Sequence, residues 1–150
     1  LNNVDYNICN TQGKIYEYAA KLGYDLSVFS SLYLKSDFCR RAFDTIYSRF
    51  QYHDEEESWD FLYPEIKDRL TVYGEGKSFD GGVAYWIGFT YRQLYIEGGI
   101  SSAELADGID FNTMCNYYPG LHTVDEDMAY DIIIANYNNK KSGNVKHSYL

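Results

Sequence analysis

Residues 83–96 read Val83-Ala84-Tyr85-Trp86-Ile87-Gly88-Phe89-Thr90-Tyr91-Arg92-Gln93-Leu94-Tyr95-Ile96. Apolar and aromatic residues recur on nearly every side of a helix drawn through this stretch, and Arg92 is its single charge. A helix that is hydrophobic all round has to be enclosed by other elements. The stretch therefore predicts a central helix over about residues 79–98, opened by Ser78 or Asp80 and closed at Gly98-Gly99. Arg92 poses the chemical question: a cation on an enclosed helix needs either an acid from another element or a ligand.

On the N-terminal side, helix signals follow one another closely. Ile8, Gln12, Ile15, Ala19 and Leu22 form one helical stripe that stops at Gly23. Asp25 caps a second helix with Val28, Phe29 and Leu32 inward, and Ser36 caps a third in which Phe38, Ala42, Phe43, Ile46 and Phe50 recur at helical spacing. In that third helix Arg40, Arg41 and Asp44 are expected to face water. Asp54 with Glu57 resembles a capping box, and Pro64 suits the first position of a further helix running to about Val72. Gly74-Glu75-Gly76 reads as a loop.

Beyond the central stretch, Ser101 and Glu104 form a capping box, and Asp110 caps a helix with Phe111, Met114 and Cys115 inward that Tyr118-Pro119-Gly120 should end. Thr123 and Glu126 supply another capping box, and Met128, Ile132 and Ala135 mark the expected buried stripe of the last helix. From Asn138 the chain turns polar. Strand alternation, repeats and interdomain linkers are not found. The expectation is an all-α, compact single-domain bundle of about seven or eight helices over residues 1–137, with a polar, flexible tail at 138–150. A chain of 150 residues is long enough for a substantial core without staples.

Charge narrows the function classes. The net charge is −9, and no Lys or Arg occurs between Gln93 and Asn139, a stretch holding eight acids. A second acidic run, Asp54-Glu55-Glu56-Glu57, lies upstream. Nucleic-acid binding depends on Lys and Arg neutralising phosphates, so direct binding of nucleic acid is disfavoured. A basic protein partner, either a toxin or a nucleic-acid-binding enzyme, fits the charge better. The 17 Tyr add rings with polar tips, suited to a core or an interface. Cys9, Cys39 and Cys115 are odd in number and widely spaced, which reads as buried thiols rather than a disulfide framework. No apolar run has the length of a membrane span and no signal-peptide pattern is present, so the expected location is cytoplasmic.

Arg49-Phe50-Gln51-Tyr52-His53 resembles the Arg-to-His motif of HEPN ribonucleases, with one fewer intervening residue and an acid cluster directly after His53. Cations closing a helix account for the pair better. Ser101–Tyr118 has the outline of a helix-turn-helix, but its second helix carries no cation for phosphate. Asp125-Glu126-Asp127 lacks the alternating oxygen ligands and glycine of a calcium loop, and reads as a helix start. His122 has no second His or Cys nearby in sequence, so neither a metal nor a cofactor is expected.

Two stretches, Ala84–Arg92 and Tyr117-Tyr118-Pro119-Gly120-Leu121-His122-Thr123-Val124-Asp125, together resemble small, uncharacterised bacterial helical proteins encoded beside toxin-like genes. The resemblance covers about residues 79–137. It implies an antitoxin-like partner-binding protein and brings no catalytic residue. The expectation is accordingly an acidic, non-enzymatic, antitoxin- or inhibitor-like protein. Its partner-binding residues would be Asp54, Glu55, Glu56, Glu57, Asp125, Glu126 and Asp127. One alternative is a small-ligand or nucleotide-handling protein, enzyme or not, with a pocket formed by Tyr91, Arg92, Tyr118 and His122. A third is a nucleic-acid mimic, which requires its acids to form one continuous stripe.

Overall fold

Side-chain oxygens start most of the helices. In the computed structural model, which describes residues 1–147 and side chains through 143, Asn2 caps α1 (Asn3–Lys21) and Asp25 caps α2 (Leu26–Leu34). Ser36 caps α3 (Asp37–Ala42), and Asp54 caps α4 (Glu55–Ile66), where its carboxylate accepts from the Glu57 amide at 2.8 Å. Asp80, Ser101 and Asp110 do the same for α5 (Gly81–Ile96), α6 (Ser102–Gly108) and α7 (Phe111–Leu121). The last helix is α8 (Glu126–His147). Each cap satisfies amides that have no intrahelical acceptor. The Asp110 carboxyl is held below its ordinary value of 3.8 by the amide and hydroxyl of Thr113. Its contribution is therefore complete above the ordinary carboxylate range and is lost as pH falls through the depressed folded value. Asp110→Ala should cost about 1 kcal/mol near neutrality, measured by denaturant unfolding, with the gap to the parent closing as pH falls through the depressed folded value.

The bundle is all-α, and among the described residues it contains no strand beyond an isolated bridge between Tyr24 and Val72. As the 83–96 stretch predicts, α5 is the axis. Every residue from Ile87 to Leu94 is buried, while Val83, Tyr85 and Trp86 nearer its start keep some exposure. The main neighbour of α5 is α1, and two glycines set how closely they cross. A Cβ built on Gly88 would lie 2.7 Å from Cγ of Tyr16 and 2.9 Å from the Gln12 carbonyl oxygen. A Cβ on Gly13 would lie 2.8 Å from the Tyr85 ring and 3.0 Å from its carbonyl oxygen. The two backbones meet through missing side chains. α2 and α4 pack against α1; α6, α7 and α8 against α5; and α3 against α2 and α4. The core they share is rich in aromatic residues: Tyr16, Phe29, Tyr33, Phe43 and Tyr91 are all at most 1% exposed.

Several expectations need correction. The helix capped by Ser36 ends at Ala42, not Phe50; Ile46 is 81% exposed, and Arg49–Tyr52 form a separate 3-10 turn. Asp44 does not face water, since its carboxylate turns inward to Arg92 and Ser102. Inside α2, Leu26, Phe29, Ser30, Tyr33 and Leu34 are buried, while Val28 and Leu32 lie half-exposed and Leu22, just past α1, is exposed. Pro64 and Pro119 do not start or stop helices; each sits in the last turn of α4 or α7. Both prolines are exposed, so the carbonyl deprived of its amide partner lies toward the solvent side and the loss is mild.

The cap of α8 is Asp125 rather than Thr123: its carbonyl accepts from Ala129 at 3.0 Å, the first turn of the helix. The buried face of α8 is also displaced by one residue. Ala129 and Ile133 are buried, whereas Met128 and Ile132 are 54% and 39% exposed and Ala135 is exposed. The reason is tertiary. Tyr130 and Ile134 seat against Gly98, and Tyr137 against Gly108, where the absence of side chains leaves room. The polar run from Asn138 continues α8 as helix to His147, so the helix does not end at residue 138. Residues 148–150 of the expected tail lie outside the described residues.

Candidate functional site

Arg92 is fully buried, and each of its nitrogens has a partner. Nε and Nη2 both donate to Oε1 of Gln12, at 2.9 and 2.6 Å. Nη1 donates to the Phe43 carbonyl and, at 2.7 Å, to Oδ1 of Asp44, while Nη2 also reaches Ser102 Oγ and Cys39 Sγ. Burial works against the charge, but Cys39, Tyr33 and Asp44 around it outweigh that and hold the guanidinium above its ordinary value. Gln12 completes the network: it also accepts from the Tyr33 hydroxyl and donates through Nε2 to the Gly88 carbonyl. This is the ion-pair reading of Arg92, with Asp44 as the acid and α1, α3, the loop after α3 and α6 all tied to one guanidinium.

The alternative ligand pocket is not assembled. Tyr91 is buried with its hydroxyl on the Ile109 carbonyl, and Arg92 is enclosed beside Phe43 and Tyr95. Tyr118 and His122 stack on each other at 4.1 Å at the end of α7, where His122 is exposed. His122 lines a different cleft, with Tyr118 packed behind it.

That cleft, of about 150 Å³, opens between α1, α5 and the turn into α8. Its aromatic walls are Tyr6 from α1 and Tyr85, Trp86 and Phe89 from α5, with His122 and Glu126 at the α7–α8 end. Tyr6 meets Phe89 edge-on at 5.1 Å, and Tyr118 packs edge-on to Trp86 at 5.7 Å behind the His122 ring. Tyr85 is pushed up to about 12 by burial, so it stays a neutral phenol. Its hydroxyl donates to Oδ1 of Asn10. Asn10 in turn lines a second cleft, of about 240 Å³, with Thr11, Lys14, His53, Asp54 and Glu55. Thr11 ties the two sides by donating to the Gln51 carbonyl at 3.1 Å.

Glu126 and the pair Asp54 and Glu55 therefore line clefts that share one side of α1. Asp54–Glu57 start α4 at one end, Asp125–Asp127 start α8 at the other, and the outward side of α1 runs between them through Tyr6, Asn10 and Lys14. Those three recur every four residues and so share one helix face. Asp54, Glu56, Glu57, Asp125, Glu126 and Asp127 are exposed and Glu55 is half-exposed. Asp127 also accepts from Gln93 at 3.3 Å, which anchors the start of α8 to the axis.

Sequence reasoning missed the aromatic half of this face. Reading 83–96 as enclosed everywhere hid the part-exposed Tyr85 and Trp86, and Tyr6 lay outside every stripe considered. An aromatic at position 6, off the Ile8–Leu22 stripe of an otherwise amphipathic helix, is the signal the sequence offers. The remaining motifs resolve as structure. Arg49 lies over the Phe50 ring and His53 stacks on Phe61, with no contact between the two side chains among the described hydrogen bonds and ion pairs. The α6–α7 segment buries Phe111 and Met114 and presents no cation. Cys9 and Cys39 are buried free thiols and Cys115 is half-buried; burial pushes Cys9 up to about 12 and raises the other two. Among the described residues no group of His, Cys, Asp and Glu could hold a metal ion, and no helix is long and apolar enough to cross a membrane. Compared with family models, with curated proteins and with solved structures, the chain has no match.

Proposed function

We propose that this is a non-enzymatic, cytoplasmic binding protein that engages a basic protein partner, in the manner of an antitoxin or inhibitor. The observation that carries the reading is the single face on which an exposed aromatic cleft lies between two acidic helix starts. Acids at the rim steer a basic partner and set its orientation, while part-exposed rings supply contact area that excludes water. The chain's most conspicuous cation supports the same view, because Arg92 is spent inside the core and is not available to grip a substrate. A nucleic-acid mimic is less favoured, since the interval between the acids is aromatic and includes Lys14 rather than continuing as a stripe of carboxylates.

The test is capture of the partner from the native host on the tagged protein, followed by binding kinetics of the purified pair. Affinity should fall by about tenfold or more between low and high salt. Changing Asp54→Asn, Glu55→Gln, Glu56→Gln and Glu57→Gln together keeps the α4 cap and should slow association by about tenfold, with little change in dissociation. Affinity that is the same at both salt concentrations would reject the steering role.

A further inference from the structure

The cleft of Tyr6, Tyr85, Trp86 and Phe89 has a chemistry more specific than contact area. The His122 Nδ1 lies 2.7 Å from the Tyr118 carbonyl oxygen, which can only accept, so Nδ1 carries the proton. In the neutral ring, Nε2 is then left with a free lone pair. Glu126, in the first turn of α8, adds a carboxylate at the same end of the cleft, and no Lys or Arg contributes to the lining. The result is a pocket with flat π faces on its walls and two acceptors at one end.

A planar cation fits this arrangement best. Guanidinium stacks on aromatic rings, carries several in-plane N–H donors and is weakly hydrated, whereas the lysine ammonium is compact and holds its water firmly. A neutral aromatic guest would leave Glu126 and the His122 lone pair unused. Building on the basic-partner reading above, we infer that this cleft is the receptor for one arginine side chain of the partner. The arginine stacks between the Trp86 and Tyr6 sides of the cleft and donates to Glu126 and to Nε2 of His122.

The test uses three short capped peptides of Gly and Ser carrying one central Arg, Lys or citrulline, titrated into the isotopically labelled protein. The two indole N–H resonances are followed by NMR, with Trp86→Phe assigning the Trp86 signal. The Arg peptide should shift the Trp86 resonance with an affinity on the order of millimolar, as a single side chain allows. The Lys peptide should bind about fivefold more weakly, and citrulline, which keeps the shape without the charge, should leave the resonance in place. Glu126→Gln, isosteric and exposed, should weaken the Arg peptide by about tenfold. No shift with Arg, equal shifts with Arg and citrulline, or an unchanged affinity in Glu126→Gln would each overturn the assignment. If the Arg peptide fails while the captured partner remains salt-sensitive, the arginine receptor falls and the basic-partner reading stands. If both fail, both readings fall.

Discussion

Replacing Asp44 with alanine is expected to destabilise the folded chain by about 3–5 kcal/mol, the cost of leaving a buried charge without its partner. The guanidinium of Arg92 is fully buried and the Asp44 side chain is 10% exposed, so water cannot substitute for the missing carboxylate. The loss is compounded because Asp44 also accepts from the Ser102 amide at 2.8 Å, at the start of α6. One substitution thus uncouples the loop after α3, the axis and α6. Urea unfolding checks it, and a midpoint shift worth less than about 1 kcal/mol would mean that the pair is dispensable. Arg92→Lys should also be costly, by about 2 kcal/mol. A single ammonium has three donors and no planar fork to span Gln12, Phe43, Asp44 and Ser102 together.

Gly88→Ala is expected to destabilise by about 3 kcal/mol, at the upper end of overpacking costs. Alanine is normally the better helix residue by about 1 kcal/mol, so the sign of the effect is itself diagnostic. The added carbon would sit 2.9 Å from a backbone oxygen of α1 and 2.7 Å from a buried ring. A backbone oxygen cannot swing aside like the end of a flexible side chain, so the helices must separate, and with them the Gln12 bond to the Gly88 carbonyl. Gly120→Ala is the matched control. That glycine lies in the last turn of α7 with nothing within 4 Å of its built Cβ, and the change should stabilise by about 0.5–1 kcal/mol. If both substitutions move the unfolding midpoint the same way, close crossing of α1 and α5 is not what holds the bundle together.

Where sequence and structure agree, the information is local. Asp25, Ser36, Asp54, Asp80, Ser101 and Asp110 each cap the helix expected of them, because a cap needs only a short polar side chain and an amide two or three residues on. Gly23 and Gly99 take left-handed backbone angles just past α1 and α5, for equally short-range reasons. The all-round apolar character of 83–96 likewise sufficed to make it the axis. Where they differ, a distant residue intervenes. Phe43, Ile46 and Phe50 keep helical spacing, yet the chain leaves the helix after Ala42 because Asp44 is drawn to Arg92, 48 positions away. The face of α8 slipped because Met128, Ile132 and Ala135 form as plausible a stripe as Ala129 and Ile133, and only the gaps at Gly98 and Gly108 separate them.

The candidate face divides in the same way. That the chain is acidic, helical and built around 83–96 follows from residue order, because composition and periodicity act over a few neighbours at a time. That Asp54–Glu57 and Asp125–Asp127 flank one aromatic cleft does not. It depends on the α1–α5 crossing at Gly13 and Gly88, which carries Tyr6 to Phe89 and Asn10 to Tyr85. Arg92 shows the division most sharply. Its isolation among apolar neighbours required that something neutralise it, and only the assembled core, by supplying Gln12, Asp44 and Ser102 at bonding distance, decided that the answer was structure rather than substrate.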